Sequence, residues 1–398
     1  MAFFGNDAVN RVNLHTAIEA IAMTAGGIFF LAFLLHAGLS VPLTLLSFAG
    51  VLAGRFALRP LMLPLGKRWG LKPMVIAGTV LQAVQYPMLA GVHGLNGWLY
   101  AFCLAQSVGD IFYWPAYHAY FAALGDAEHR GHQVAMREAL GAGVGIVAPL
   151  LGAWAIVSAG PWIVFSAIGA VQALSALPLL AAPNVKVAAS APGAFRAARM
   201  GMAIFVTDGW QAGTFYFIWQ IALFLSLGRS LTGYGGAMAL AAVVGAVGGL
   251  VIGRHIDRGN GRRAVVIAYA SLAAVIVLRA ASVGSPWLAL AANACGPLVA
   301  ALLLTAEMTA VYNMAKASPC PYRFHLASEA GWDVGCLAAT LIAAGLSAAG
   351  ASLAWPMLLG VPCAAIAAGL LWRYYTANPM AGGVEVPIER LTEPAAPI

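Results

Sequence analysis

An ionisable side chain inside a long apolar stretch is costly, and this sequence contains several. At the centre of a bilayer such a charge costs about 2.5–3.5 kcal/mol or more, so it needs a partner or a water-filled cavity. Asp110 lies near the middle of one apolar stretch, close to the aromatic residues Trp114 and Tyr117. A carboxyl group there could carry a proton or bind a cationic part of a ligand. A structural ion pair, for example with Arg55, is the alternative.

Two arginines lie close together in an earlier apolar stretch. Arg55 and Arg59 are four positions apart, which places them on the same face of a helix. Two guanidinium groups on one face could bind an anionic ligand. They could instead form structural pairs with acids of neighbouring helices.

Three more acids lie about two helical turns inside apolar stretches, namely Glu19, Asp208 and Glu307. Local capping of a helix end is the alternative to a role in a cavity. Trp210 and Tyr216 follow Asp208 and could add ring surfaces to a binding cavity, although ordinary helix packing uses the same residues. Arg279 lies close to the end of its stretch, and we expect its long side chain to reach the membrane surface.

The composition predicts that most of the surface meets lipid. Of 398 residues, 62% are hydrophobic and only 9% are charged, against about 25% charged residues in soluble domains. The apolar runs reach 20 residues without polar alternation, which favours membrane helices over a β-barrel. The fold class predicted is therefore an all-α integral membrane protein.

The apolar pattern predicts twelve spans. They lie at about 13–36, 40–65, 73–92, 97–124, 134–158, 161–182, 200–227, 231–253, 264–284, 287–314, 324–349 and 352–375. The polar stretch 183–199 divides them into an N-terminal six-helix bundle, 1–182, and a C-terminal one, 200–375. The stretch itself is predicted to be a cytoplasmic linker, and the tail, 376–398, a disordered cytoplasmic segment.

Basic residues fall almost entirely in one set of alternate loops. They are Lys67, Arg68, Lys72, Arg130, Lys186, Arg196, Arg199, Arg254, Arg258, Arg262, Arg263, Lys316 and Arg323. The other set holds essentially only Arg229. Because basic loops stay in the cytoplasm, we expect a multi-pass protein of the bacterial inner membrane with both termini cytoplasmic. This segregation also explains the net charge of +7, so nucleic-acid binding is not indicated.

Three landmarks recur at nearly one offset. Arg68 and Arg258 are 190 positions apart, Glu138 and Glu329 are 191 apart, and Glu19 and Asp208 are 189 apart. The common offset favours a six-plus-six duplication, an architecture common among transporters.

Motifs for other chemistry are missing from the sequence. No GxxxxGK[ST], HExxH or GxSxG pattern occurs, and the histidines are scattered, so we expect no ATP coupling, no metal and no cofactor. The five cysteines have no metal-like spacing and are expected to be small buried residues. A membrane enzyme and a non-transporting receptor stay as remote alternatives.

The segment 253–263, GRHIDRGNGRR, resembles the loop signature of the major facilitator superfamily. The copy at 66–72, GKRWGLK, is degraded, with Lys67 at the position of the aspartate. The segment 145–152, GIVAPLLG, loosely resembles the glycine–proline motif of the family's exporters. The arginine frequent in the family's fourth helix is absent; Ala105 and Gln106 occupy that region.

This resemblance implies two pseudo-symmetric six-helix bundles and alternating access around a central cavity lined by spans 1, 4, 7 and 10. Asp110, Glu19, Asp208 and Glu307 would then face the cavity. It also implies that spans 2 and 11 face each other, so that Arg55 or Arg59 meets Asp333 or Glu329 when one gate is closed. The loop residues Asp257, Arg258 and Arg262 would form a latch on the cytoplasmic face.

The function expected from the resemblance is a proton-coupled secondary transporter of a small organic solute, with export favoured by the 145–152 segment. The alternative is a proton-coupled uptake symporter, including one for an organic anion bound by Arg55 and Arg59. The partners expected are the solute, protons and the lipid bilayer, and the chain is expected to act as a monomer.

Overall fold

A computed structural model describes residues 6–124, 130–256 and 261–378, and within these ranges the chain is helical without any strand. The N-terminal helices are α1 (Asp7–Ala25), α2 (Phe30–His36), α3 (Val41–Leu58), α4 (Met62–Trp69), α5 (Leu71–Ala90), α6 (Gly97–Leu124), α7 (Arg130–Ala159), α8 (Pro161–Leu174) and α9 (Leu177–Leu180). The C-terminal helices are α10 (Ala194–Ala197), α11 (Arg199–Gln211), α12 (Ile218–Ser226), α13 (Leu231–Ile256), α14 (Gly261–Ser282), α15 (Pro286–Ala317), α16 (Pro321–Ala348), α17 (Ala354–Leu358) and α18 (Gly360–Ala377). A π-helix, Ala212–Phe217, joins α11 to α12.

Eight helical stretches in the described ranges are long and apolar enough to cross a membrane. They are Asp7–His36, Val41–Trp69, Pro161–Leu180, Leu231–Gly248, Gly261–Ser282, Pro286–Ala317, Pro321–Ala348 and Ala354–Ala377. The chain is therefore an all-helical, multi-pass membrane protein, as predicted. The count of twelve spans and their grouping into two six-helix bundles stay predictions.

Two helix boundaries differ from those that the apolar pattern predicts. The first helix begins earlier, at Asp7, because the Asn6 side chain caps it by accepting a hydrogen bond from the Val9 backbone N–H at 3.1 Å. The segment 66–72, predicted as a loop, is helical up to Trp69. Gly70 alone separates α4 from α5. Its φ of +88° allows a one-residue turn, and glycine adopts this angle readily because it has no Cβ.

The helices before and after the 183–199 segment pack mainly with their own neighbours. Among the N-terminal helices α5 packs against α6 and α8, and α1 against α7 and α8. Among the C-terminal helices α11 packs against α16 and α18, and α14 against α15 and α18. The largest contacts between the sets are α3 with α16 and α7 with α13, and α6 with α16 and α2 with α12 also touch. The α3–α16 contact holds most of the candidate site.

Glycines set the close crossing of α11 with α16. A Cβ added at Gly209 would collide with the backbone carbonyl of Trp332, and one at Gly335 with that of Val206. The two backbones touch because neither position carries a side chain, as is frequent where membrane helices meet. This crossing fixes the depth and rotation of α16 and hence of its acidic face.

Candidate functional site

Asp110 is held among the N-terminal helices. Its Oδ2 lies 3.5 Å from Nη1 of Arg55 on α3, and its Oδ1 accepts a hydrogen bond of 2.8 Å from the Gln82 amide on α5. The Gln82 oxygen in turn accepts from Gln172 on α8 at 3.2 Å. The Trp114 side chain, one turn along α6, also interacts with the Asp110 carboxylate. Three groups therefore orient one carboxylate directly, and Gln172 orients one of the three.

The same arginine reaches the C-terminal helices. Arg55 Nη2 lies 3.5 Å from Glu329 Oε2, and Arg55 Nε lies 3.0 Å from Asp333 Oδ1. The second contact is an ion pair without the alignment of a hydrogen bond. Arg59 pairs with the other oxygen of Asp333 and donates to the Leu326 carbonyl at 3.1 Å. The contact between spans 2 and 11 that the resemblance implied is thus present, as a contact between α3 and α16.

These five charges are nearly sealed from solvent. Arg55, Arg59 and Glu329 are each 5% exposed, Asp110 is 9% exposed and Asp333 is fully buried. At an effective dielectric constant of about 20, two unit charges 3.5 Å apart attract by about 5 kcal/mol, most of which offsets their desolvation. Three acids share two arginines, so the cluster carries one negative charge in excess when every group is ionised. A buried carboxylate without an arginine of its own is stabilised by taking up a proton, so this cluster can accept one.

A second acidic group lies beside this cluster among the C-terminal helices. Glu307 on α15 accepts a hydrogen bond of 2.9 Å from the Tyr269 hydroxyl on α14 and is 6% exposed. Asp208 on α11 interacts electrostatically with Glu307 and lies within hydrogen-bonding reach of the Trp332 side chain. The Trp332 ring also covers Arg55, whose Cζ is 5.0 Å from the ring centroid. Within the described ranges no ion pair joins either acid to a lysine or arginine.

The other predicted binding residues are more dispersed. Glu19 on α1 is buried and lies near Tyr86 of α5. Tyr117 is buried in the packing of α1 against α6, where its hydroxyl shares a hydrogen bond of 3.1 Å with Thr16. Trp210 turns towards the start of α18 and donates to the Leu359 carbonyl at 3.2 Å. The role of these residues in binding stays a prediction.

Two further predictions concern Tyr216 and the cytoplasmic latch. Tyr216, in the π-helix, is 41% exposed and lies within the electrostatic reach of Asp208 and Glu307. Asp257 and Arg258 lie outside the described residues. Arg262 is exposed and stacks over Trp372 of α18, with its Cζ 5.7 Å from the ring centroid.

The expectation for Arg279 is wrong. Its side chain does not reach the membrane surface; it turns inward, is 3% exposed, and donates to the Phe215 carbonyl. The guanidinium lies over the rings of Phe215 and Trp219 at 3.9 and 4.8 Å, in space that Gly296 leaves open. The π-helix is the physical reason, since its wider turn alters the helical hydrogen-bond ladder and leaves a carbonyl for an external donor.

Sequence reasoning missed His118 and His325, which join this site. His118 Nε2 lies 3.7 Å from Glu329 Oε1, and the two imidazole rings stack with centroids 5.6 Å apart. A signal was available in the spacing. The sets Asp110–Trp114–His118 and His325–Glu329–Asp333 each repeat every four residues, which aligns them along one helix face as it does Arg55 and Arg59.

Known proteins resemble both the sequence and the fold. A family model described as Major Facilitator Superfamily matches residues 15–319. The crystal structure of an auto-inhibited POT family peptide transporter aligns with a TM-score of 0.64 at 12% identity, covering 93% of this chain and 96% of that one. The in meso crystal structure of the POT family transporter PepTSo aligns with a TM-score of 0.66 at 11% identity, covering 94% and 98%. Such low identities establish the fold alone. No curated protein matches the sequence.

Proposed function

The chain belongs to the major facilitator superfamily, a family of transporters rather than enzymes, and from this premise we propose that it is a proton-coupled secondary transporter. It would move a small organic solute across a bacterial inner membrane by alternating access, as a monomer with both termini in the cytoplasm. Residues 1–182 would rock against residues 200–375 around a site near the middle of the membrane.

One observation carries the proposal. The buried charges of the α3–α16 contact belong to both sets of helices, and acids outnumber arginines by three to two. Arg55 bonds Asp110 within its own set and both Glu329 and Asp333 across the contact. Its choice of partner therefore depends on which acids are charged.

Protonation supplies the coupling in this scheme. A proton on Asp110 removes the carboxylate that competes for Arg55 and strengthens the hold of Arg55 on Glu329 and Asp333, which keeps α3 against α16. Loss of that proton draws Arg55 back towards Asp110 and weakens the contact. Because each conformation prefers a different protonation state, a proton gradient can drive the conformational cycle.

We favour export as the direction of transport, because the 145–152 segment resembles the glycine–proline motif of the family's exporters. Pro149 of this segment lies inside α7, and its carbonyl would be 2.6 Å from a Cβ at Gly235 of α13. The motif therefore lies at the α7–α13 contact between the two sets of helices, where it can influence their relative motion.

Uptake by proton symport is the second candidate, and the observation that favours it is the fold shared with a POT family peptide transporter. An organic anion bound by Arg55 and Arg59 is less well supported. Both guanidinium groups are already engaged by carboxylates, so an anion would have to displace a buried acid.

Solute-driven proton movement tests the proposal. The purified chain is reconstituted in liposomes that contain a pH-sensitive dye, and alanyl-alanine, tetraphenylphosphonium and benzoate are added in turn under an imposed pH gradient. We expect at least one of these probes to move protons, and Asp110→Asn to abolish that movement while the protein stays folded. Asp7→Asn, which removes an exposed acid paired with Arg11, is the matched control. Unchanged proton movement in Asp110→Asn would exclude this residue as the coupling acid, and dye signals that no probe alters would count against proton coupling.

A further inference from the structure

Two histidines meet where α6, α15 and α16 come together. The rings of His118 on α6 and His325 on α16 stack with 26° between their planes. Tyr312 of α15 lies against both, with ring centroids 6.3 Å from His118 and 5.9 Å from His325. Because α6 precedes the 183–199 segment and the other two helices follow it, this histidine pair joins the two sets of helices independently of the arginines.

The pair lies towards one side of the membrane, here called the basic face, where Lys67, Arg68, Lys316 and Arg323 are found at helix ends. His118 is six residues from the end of α6 at Leu124, and His325 is in the second turn of α16. Side-chain exposure falls from 17% at His118 to 7% at Glu329 and to zero at Asp333. Of these three, His118 is the group that a proton from the basic face reaches first.

The contacts of His118 prepare it for a positive charge. Its Nδ1 lies 3.2 Å from the Tyr312 hydroxyl, and its Nε2 faces Glu329 at 3.7 Å. A neutral imidazole gains little from that carboxylate, whereas an imidazolium forms a charge-assisted contact with it. Glu329 and His325 on α16 and Tyr312 on α15 face His118, and Arg55 of α3 is on the far side of Glu329. Trp114 and Tyr117 of its own helix also lie against the His118 ring.

His325 decides which ring of the stack takes the proton. It is fully buried, and neither of its ring nitrogens has a hydrogen-bond partner in the described part of the chain. A charge on this ring would be desolvated without compensation, and two charged rings in a stack would repel each other. One proton therefore fits the pair, and it belongs on His118 beside Glu329.

We propose that His118 is a proton-operated latch, separate from the predicted loop latch of Asp257, Arg258 and Arg262. Protonated from the basic face, its imidazolium pairs with Glu329 and holds α6 against α16, so that the gate on this face stays closed. Release of the proton to the same face removes the pair and favours opening. The latch rests on the proposed function and deepens it by naming the residue through which the pH of one face controls closure.

A distance measurement at varied pH tests the latch without any solute. Spin labels are placed on Lys67→Cys and Lys316→Cys, two exposed positions on the basic face, in a full chain whose five native cysteines are replaced by alanine. Distances are measured by double electron–electron resonance in liposomes. From about pH 8.5 to about pH 5.5 we expect the ratio of short-distance to long-distance populations to rise about fivefold or more, because protonation favours the closed conformation.

The variants separate a latch from general packing. His118→Gln and His118→Asn should both lose most of the pH response, leaving only the part that protonation of Asp110 supplies, and Glu329→Gln should do the same by removing the other partner. His325→Gln should keep the pH response. The control His36→Gln, which changes an exposed histidine at the end of α2, should keep it too. A full pH response in either His118 variant, or none in the parent protein, would overturn the proposal. If one His118 variant fails to fold, the pH responses of the other His118 variant and of Glu329→Gln test the proposal.

Failure of the latch is distinguishable from failure of the proposed function. A pH response that is unchanged in the His118 variants, in a protein that still moves protons with a solute, would remove the latch alone. A pH-dependent distance that requires His118, in a protein whose proton movement no solute alters, would leave the latch and remove the proton coupling.

Discussion

Removing the carboxylate of Asp333 should open the α3–α16 contact. Asp333 is fully buried and, among the acids that the structure describes, is the one that forms ion pairs with both Arg55 and Arg59. Asp333→Asn keeps the shape of the side chain and deletes its charge. Arg55 retains its ion pairs with Asp110 and Glu329, whereas Arg59 keeps the Leu326 carbonyl and a more distant electrostatic interaction with Glu329. The loss therefore falls chiefly on Arg59.

The magnitude follows from the distances and the burial. At an effective dielectric constant of about 20, the 3.0 Å contact of Arg55 with Asp333 corresponds to about 5.5 kcal/mol of attraction. Breaking a buried pair by removing one partner typically costs about 3–5 kcal/mol. Because Arg55 stays paired, we take the lower value, about 3 kcal/mol. The pairs exist only while α3 touches α16, so the closed population should fall about 100-fold relative to the open one.

A native cysteine reports this opening. Cys336 is fully buried and lies three residues after Asp333 on α16, so it faces the same contact. With the other four cysteines replaced by alanine, the rate at which N-ethylmaleimide labels Cys336 measures the open population when opening and closing are fast. We expect Asp333→Asn to raise that rate about 100-fold, in line with the shift in population.

Two comparisons make this prediction refutable. Asp7→Asn removes an exposed acid and its i,i+4 pair with Arg11, which is worth less than about 1 kcal/mol, and should leave the rate unchanged. Adding Arg59→Gln to Asp333→Asn should restore much of the protection, because the uncompensated cation is removed as well. Equal labelling rates in Asp333→Asn and the parent protein would show that these ion pairs do not hold the contact closed.

Two further predictions concern the packing that positions the site. Gly335→Ala places a Cβ against the Val206 carbonyl and should destabilise the fold by about 1–3 kcal/mol, seen as a lower thermal midpoint in detergent; Gly345→Ala on the same helix, where a Cβ meets nothing within 4 Å, should not lower that midpoint. Arg279→Gln should remove the donor to the Phe215 carbonyl and cost about 1–3 kcal/mol, with faster amide exchange around Phe215 by mass spectrometry. An unchanged exchange rate there would mean that the π-helix does not depend on Arg279.

The sequence was informative about local properties. Apolar run length predicted one long helix over 97–124, and the structure has α6 with the same bounds, Gly97–Leu124, because the length of an apolar run is a property of one segment. The four-residue spacing of Arg55 and Arg59 placed them on one face for the same local reason. The prediction of a loop over 66–72 was too long. The basic residues of this segment suggested a loop of seven residues, whereas the single residue Gly70, with its positive φ, makes the turn.

Partner choice was decided by the tertiary structure. Arg55 and Glu329 are 274 positions apart, and whether they meet depends on the rotation and depth of α16, which the glycine crossing with α11 sets. The inward turn of Arg279 required a π-helix that no residue pattern announced, and the stacking of His118 on His325 required two helices distant in sequence to converge. Composition and periodicity thus determined that this chain lies in a membrane with charges inside it. Only packing determined which charges face each other, because ion pairing depends on distances of a few ångströms that no single segment controls.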